Sequence, residues 1–125
     1  MNYDDELQLL QGAWVFDSLE VDGQKVPEAM YRGSTLEISG DTFIARALEA
    51  TYEGKLQLQP GAAPKTMDMI FTGGPEKGST SLGIYEVDGD ILKICLGFTG
   101  VPRPQAFVSK PGTGHALEIL RRKTV

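Results

Sequence analysis

Short stretches of alternating apolar and polar side chains, separated by turn-forming residues, recur along most of this chain. A period of two is typical of strands that bury one face. The pattern predicts eight strands, at residues 13–21, 34–39, 41–47, 52–59, 66–71, 81–87, 90–97 and 116–122. No helical pattern of crossover length lies between them, so consecutive strands are expected to pair antiparallel as hairpins. The irregular stretch 98–114 leaves room for one further brief strand at Phe107 and Val108.

Two segments depart from this alternation. Residues 4–11 carry Leu7 and Leu10 at helical spacing, and Gly12 is expected to end that helix. The segment "VPEAMYRG" contains Pro27 near its start, and proline is favoured at a first helical position. We therefore expect a short N-terminal helix, and a second short helix or lid-like turn before the second strand.

The hairpin turns predict which side chains share a face, because directly paired residues lie on the same side of a sheet. A two-residue turn at 88–89 would pair Tyr85 with Leu92, and a turn at 40–41 would pair Ile38 with Phe43. On the last strand, Leu117 and Ile119 are expected to share the inward face. The hairpin at 88–89 would turn Gly83, Tyr85, Val87, Leu92, Ile94 and Leu96 inward, and Ile84, Glu86, Lys93 and Cys95 outward.

Each predicted strand thus has one largely apolar face, as a sheet closed around a common interior requires. We predict one all-β domain over residues 1–125, an eight-stranded antiparallel up-and-down barrel with a short N-terminal helix. At this strand number the interior is either filled by side chains or holds one small ligand. The length of 125 residues is enough for a single modest core.

Composition and charge argue against two classes of partner, nucleic acids and membranes. The net charge is −5, and no cluster of basic residues exceeds "RRK" at 121–123, which argues against a nucleic-acid partner. No apolar run approaches the roughly 20 residues of a membrane span, and the start "MNYDDELQ" is acidic where a secretory signal would be basic. As given, the chain is expected to be cytoplasmic, although a domain whose signal had been removed would have the same sequence.

The motif Gly12-Ala13-Trp14, after the short helix, resembles the Gly-x-Trp motif that opens the first strand of lipocalins. The segments "PKTMD" (64–68), "GIYEVDGDILKIC" (83–95), "RPQAF" (103–107) and "LEILRR" (117–122) are similar to an uncharacterised family of lipocalin-like bacterial domains, abundant in planctomycetes. The resemblance spans nearly the whole chain and implies the barrel fold, but no established activity. It also implies that Trp14 plugs the closed end of the barrel.

The same resemblance implies that an arginine of the last strand lies across this tryptophan. Arg122 fits the ending of the family, whereas alternation along the strand places Arg121 on the face of Leu117 and Ile119. We favour Arg122, in a cation–π and backbone-capping role. Gly12, Trp14 and Arg122 are therefore interpreted as structural residues.

The residue types that commonly form catalytic and metal sites do not indicate such a site in this sequence. His115 is the only histidine and has no acid near it in sequence, and Cys95 is expected to be a small apolar filler. One histidine and one cysteine cannot build a usual zinc site, and the glycine-rich stretch 72–80 lacks the spacing of a phosphate-binding loop. We predict neither a metal nor a cofactor.

Alternation along the first strand places Trp14, Phe16, Ser18 and Glu20 on one face. If Trp14 closes the base, Ser18 and Glu20 would lie toward the open end, with Arg103 folding over from a loop. A few polar groups among apolar side chains are typical of a small-molecule pocket. The predicted ligand-binding residues are Ser18, Glu20, Phe43, Tyr52, Leu56, Met69, Tyr85, Ile94 and Arg103.

The favoured hypothesis is a non-enzymatic module that binds a small hydrophobic or amphipathic molecule in the barrel. The alternative is a small isomerase or cyclase that uses Glu20 or a tyrosine as acid or base. A third hypothesis is a protein-binding barrel that acts through its loops or outer face, and an exposed apolar patch around Ile84, Cys95 or Met30 would suggest it. Side chains could also simply fill the barrel, with Glu20 in water at its rim.

Overall fold

A computed structural model describes residues 3–47 and 49–123. Its helices are α1 (Tyr3–Leu10) and α2 (Glu28–Tyr31). Its strands are β1 (Gly12–Val21), β2 (Gln24–Lys25), β3 (Thr35–Ser39), β4 (Thr42–Ala47), β5 (Ala50–Gln59), β6 (Thr66–Gly73), β7 (Thr80–Asp88), β8 (Ile91–Gly97) and β9 (His115–Arg122).

Eight of these strands form a closed antiparallel up-and-down barrel, which confirms the predicted fold. Strand β1 pairs with β3, each strand from β3 to β8 pairs with the next one along the chain, and β9 pairs with β1 to close the ring. The two-residue strand β2 follows the turn at Asp22 and Gly23 and pairs antiparallel with the C-terminal end of β1. Helix α1 precedes β1 as predicted, and α2 lies between β2 and β3.

The registers follow the turn residues, with one difference. Ile38 pairs with Phe43, as predicted. Tyr85 pairs with Ile94 and not with Leu92, because Asp88 still pairs with Ile91 and the turn lies at residues 89–90. Since the register differs by two residues and side chains alternate with a period of two, each side chain of this hairpin keeps its predicted face.

Strand β1 contains a β-bulge at Asp17. Phe16 pairs with Leu120 and Ser18 with Ile119, so Asp17 is an extra residue without a partner on β9. An extra residue exchanges the two faces of the strand beyond it. Consequently Leu19 faces the interior, and the expectation that Ser18 and Glu20 face inward is wrong.

The inward residues of β9 also differ from the expectation. Leu120 belongs to the buried core, and alternation from it turns Ala116 and Glu118 inward. Leu117 and Ile119 therefore face outward, opposite to their predicted direction. Both outward residues are partly covered.

Residues 98–114 form no strand, so the possible extra strand at Phe107 and Val108 is absent from this described segment. The segment runs along the outside of the barrel, where the Cys95 thiol donates a hydrogen bond to the Val108 carbonyl at 3.4 Å. We call residues 98–114 the outer loop. It explains why outward residues such as Ile84 and Cys95 are buried.

Candidate functional site

The closed end of the barrel is formed by α1, Trp14 and Arg122. The indole Nε1 of Trp14 donates a hydrogen bond to the Leu10 carbonyl at 3.0 Å, and the Arg122 guanidinium lies 4.3 Å from the centre of the Trp14 rings. Arg122 also donates to the carbonyls of Gln11, at 2.6 Å, and Leu9, at 3.0 Å. The guanidinium thus holds the end of α1 against the indole, in the capping role expected of Arg122.

Gly12 provides the bend between α1 and β1. Its φ of +113° lies in the region that favours glycine. A Cβ at this position would also lie 3.5 Å from Nη1 of Arg122. Any other residue at position 12 would therefore strain the backbone beside the closing guanidinium.

A buried carboxylate at the same end fixes the first turn of α1. Glu6 is fully buried, and its Oε1 accepts hydrogen bonds from the Tyr85 hydroxyl at 2.7 Å and the Lys65 ammonium at 2.8 Å. Burial alone would raise the pKa of Glu6, but these hydrogen bonds and the Lys65 charge hold it below its usual value. Among the described residues, no group bonds to its Oε2.

Tyr85 therefore lies at the closed end, where its hydroxyl is committed to Glu6. Burial, together with the hydrogen bond to the Glu6 carboxylate, raises the pKa of the phenol. Four other predicted ligand-binding residues also belong to the packed core, with at most 5% of each exposed. They are Phe43, Leu56, Met69 and Ile94. Side chains thus fill the interior next to Trp14.

The interior is less completely covered towards the other end, where β9 begins at His115. Several inward side chains there are only partly buried, although they pack against the core, whereas Leu19, Ser81 and Ala116 are buried. Phe71 makes edge contacts with Phe43 and Tyr52, with ring centres 5.6 Å and 6.0 Å apart. We call this region the open half; its partly buried side chains are Phe16, Ala45, Tyr52, Phe71, Leu96 and Glu118.

Glu118 is the polar group that most distinguishes the open half. It pairs with Leu19 on one side and Ile94 on the other, both of them buried apolar residues. No side chain among residues 3–47 and 49–123 donates a hydrogen bond to it or forms an ion pair with it. Burial raises the pKa of this carboxyl to about 7.

Tyr52 and Ser81 are further polar residues on the inward faces of the barrel. Strand β5, which carries Tyr52, lies four strands from β9 in either direction around the ring, and is therefore on the opposite wall. Ser81 pairs with the core residue Met69 and faces inward from β7. Of these three polar residues, only Tyr52 was identified from the sequence.

The remaining polar candidates lie on the outside of the barrel. The Glu20 carboxylate accepts a hydrogen bond from the Ser109 hydroxyl, at 3.2 Å, in the outer loop. Arg103 donates to Asp68 at 2.6 Å and to the Gly83 carbonyl at 2.7 Å. Arg103 thus attaches the outer loop to β6 and β7, and the expectation that it folds over the open end is wrong.

An exposed apolar patch around Ile84, Cys95 or Met30 would have suggested a protein-binding barrel, but two of these three residues are buried. Ile84 and Cys95 are 1% and 0% exposed, and burial raises the pKa of the Cys95 thiol. Met30 on α2 is 59% exposed. His115 contacts the Pro102 carbonyl through Nε2, at 3.0 Å. Within the described residues, no three histidine, cysteine or acidic side chains form a metal-binding group.

Two open grooves flank α2. One, of about 430 Å³, lies between α2 and the β4–β5 hairpin and is lined by Met30, Arg46, Ala47 and Thr51, among others. The other, of about 460 Å³, lies beside β1 and β9 and includes Phe16, Tyr31 and Arg121. Both grooves are open to solvent on the outside of the barrel, so neither is an enclosed pocket of its interior.

Comparison of the chain with protein-family models, curated proteins and solved structures gives no match. None of the helices among the described residues is long and apolar enough to cross a membrane. The geometry of the barrel interior is therefore the basis for assigning a function.

Proposed function

We propose that this protein is a lipocalin-like binding module that holds one small amphipathic molecule in the open half of its barrel, without chemically changing it. The Gly12, Trp14 and Arg122 arrangement at the closed end supports the lipocalin-like assignment. The division of the interior into a packed half and a partly exposed half supports the binding site.

The packed half limits the size of the molecule. The core beside Trp14 is filled, so a ligand would rest on it and contact Phe16, Tyr52 and Phe71. Apolar burial contributes roughly 25 cal/mol per Å², before the loss of translational and rotational freedom is subtracted. A shallow site of this kind favours a compact molecule with one apolar ring or short chain.

The unpaired Glu118 carboxyl is the observation that carries the proposal. A carboxyl among apolar neighbours loses hydration, and Glu118 gains no side-chain partner among the described residues in return. Such a group weakens an interior that only has to be packed, but it orients a bound molecule that brings a hydrogen-bond donor. A filled structural core therefore explains the closed half, and a binding site explains the open half.

The test uses naphthalenemethanol, a neutral amphipathic probe, and observes the side chains of the open half by NMR. We expect nuclear Overhauser contacts from the probe to Tyr52 and Phe71, which line neither of the α2 grooves. Replacing Ala45, which faces inward, with Trp should fill the site and lower the affinity at least about tenfold.

Ile44→Trp is the matched control, because Ile44 is the next residue on β4 and faces outward. It should leave the affinity unchanged. Probe contacts restricted to the α2 grooves, or equal loss in both variants, would contradict a site in the open half. The Overhauser contacts use the unaltered protein, so they decide the matter even if Ala45→Trp does not fold.

A second candidate, an isomerase or similar acid–base enzyme, is favoured by one observation. A carboxyl whose pKa is about 7 is suited to exchange protons at neutral pH. An enzyme would convert its bound molecule, so a soak with metabolite extract would produce a changed compound at catalytic protein concentrations. A binding module would return the same compound that it retained.

A further inference from the structure

We infer that the molecule held in the open half carries a positively charged head group, an ammonium in the simplest case, which pairs with the Glu118 carboxylate. This inference rests on the proposed function and names the chemistry of its ligand. Three observations support it: the inward position of Glu118, the apolar side chains around it, and the lack of a free positive charge on the inward faces of the described strands.

The elements packed around Glu118 present apolar side chains to it. Strand β1 contributes the inward residues Phe16, Leu19 and Val21, and β8 contributes Ile94 and Leu96. On β9 itself the adjacent inward residues are Ala116 and Leu120. None of these neighbours can neutralise or hydrogen-bond the carboxylate.

The other polar groups of the interior supply no positive charge that could pair with the Glu118 carboxylate. Tyr52 and Ser81 carry neutral hydroxyls, and the Tyr85 hydroxyl donates to Glu6. The Cys95 thiol lies on the outward face of β8. If this thiol ionised, its negative charge would repel the Glu118 carboxylate.

The inward-facing cation of the described strands is Arg122, which is engaged at the closed end. Its guanidinium covers Trp14 and donates to the Gln11 and Leu9 carbonyls. The strands therefore present one free carboxyl and no free cation to the open half. An anionic head group would meet repulsion there, a neutral one would gain a hydrogen bond, and an ammonium would gain both a hydrogen bond and a charge partner.

Binding of such a cation would be linked to proton release. Burial raises the pKa of Glu118 to about 7, so in the free protein the protonated form predominates below that pH. An incoming ammonium stabilises the carboxylate, so the carboxyl O–H bond breaks and its proton leaves to the buffer as the ion pair forms. The balance is one carboxylic acid plus one ammonium giving one ion pair plus one proton.

The experiment compares three probes that share the naphthalene ring: naphthylmethylamine, naphthalenemethanol and naphthoate. Titration calorimetry at about pH 7 should show the amine binding at least about tenfold more tightly than the alcohol, and the carboxylate most weakly. Between about pH 6 and pH 8 the affinity for the amine should rise by about tenfold, because the cost of deprotonating Glu118 disappears. The affinity for the alcohol should change less.

Proton release is measured separately, by repeating the amine titration in buffers that differ in ionisation enthalpy. At about pH 6 we expect close to one proton released for each amine bound. This measurement uses only the unaltered protein, so it decides the linkage even if a variant at position 118 fails to fold.

Glu118→Gln should remove the preference for the amine, so that the ratio of the amine affinity to the alcohol affinity falls to about one, and should flatten the pH dependence of amine binding. Glu20→Gln is the matched control, since Glu20 lies on the neighbouring strand but faces outward. It should leave the amine preference intact. Equal affinities for amine and alcohol, or an amine affinity unaffected by Glu118→Gln, would overturn the cationic head group but not the proposed function. Failure of all three probes to bind would overturn the proposed function itself.

Discussion

At the scale of single residues, Glu118 sets a balance between stability and binding. Its carboxyl is placed among Leu19, Ile94 and Leu120, which cannot stabilise the charged form. Ionisation therefore costs more in the folded protein than in the unfolded chain, where water solvates the group. The folded state binds the Glu118 proton more tightly, and this makes stability depend on pH.

We predict that Glu118→Gln is more stable than the original protein at about pH 8, and similar to it below about pH 4.5. The pKa of Glu118 is higher in the folded protein than in the unfolded chain. Its protonated form therefore contributes fully to folding stability below the unfolded pKa, and this contribution is lost as the pH rises through about 7. The gain is at most about 3 kcal/mol, since a tenfold change in proton affinity corresponds to about 1.4 kcal/mol and the side chain is partly exposed.

Urea denaturation of both proteins across this pH range measures the difference. Glu20→Gln serves as control, because its carboxylate lies outside the barrel and bonds to Ser109. A stability difference between Glu118→Gln and the original protein that is the same at all pH values would refute the raised pKa.

The position of Glu118 could not be predicted from the alternation of β9 alone. Leu117 and Ile119 are apolar although they face outward, because the outer loop covers this wall, where Leu117 pairs with the buried Cys95. Both faces of β9 are thus largely apolar, and the pattern does not decide between them. The sequence signal that could decide is Arg122, whose place at Trp14 fixes the even-numbered residues of β9 as inward.

At the scale of elements, turns could be predicted but the bulge could not. The turns at residues 22–23 and 40–41 are marked by glycine with aspartate, and they fix the hairpin registers correctly. The bulge at Asp17 has no such marker, because Asp17 is held by tertiary contacts. Its side chain pairs with Arg121 at 2.9 Å, and its carbonyl accepts a hydrogen bond from the Tyr31 hydroxyl at 3.2 Å. The prediction for Ser18 and Glu20 failed for this reason.

Helix α1 is too short to be stable by itself, so its docking depends on side chains. We predict that Tyr85→Phe destabilises the protein by about 1.5–3 kcal/mol, because the buried Glu6 carboxylate loses one of the two hydrogen-bond donors that it has among the described residues. The lost donor should also raise the pKa of Glu6. The Glu6 carboxylate contributes to folding stability above its unfolded pKa, and this contribution is lost as the pH falls through its folded pKa. In Tyr85→Phe the loss should therefore occur at a higher pH than in the original protein.

Thermal and urea unfolding at neutral and acid pH measure both effects. Tyr52→Phe is the matched control, since no described residue is hydrogen-bonded to the Tyr52 hydroxyl, and it should change stability by less than about 0.5 kcal/mol. Equal effects of the two substitutions would mean that the hydrogen bond to Glu6 does not hold α1.

At the scale of the whole molecule, the barrel combines two ends with different roles. Pairing of β1 with β9 closes the sheet and leaves the main ring without an edge strand. At the closed end, α1, Trp14 and Arg122 seal the interior, which makes the other end the accessible one. The overall fold could be predicted because strand number and turns depend on local sequence, whereas the contents of the open half depend on the outer loop and the bulge.

The seal at the closed end should therefore contribute to the stability of the entire barrel. We predict that Arg122→Lys lowers the free energy of unfolding by about 1–2 kcal/mol, because an ammonium cannot cover the indole and reach both the Gln11 and Leu9 carbonyls. Arg121→Lys, at the neighbouring exposed residue, should cost less than about 0.5 kcal/mol. Trp14 fluorescence during urea unfolding reports on both variants, and only Arg122→Lys should alter the emission of the folded protein. If the two substitutions had the same effect, the guanidinium on Trp14 would not be what joins α1 to the base of the barrel.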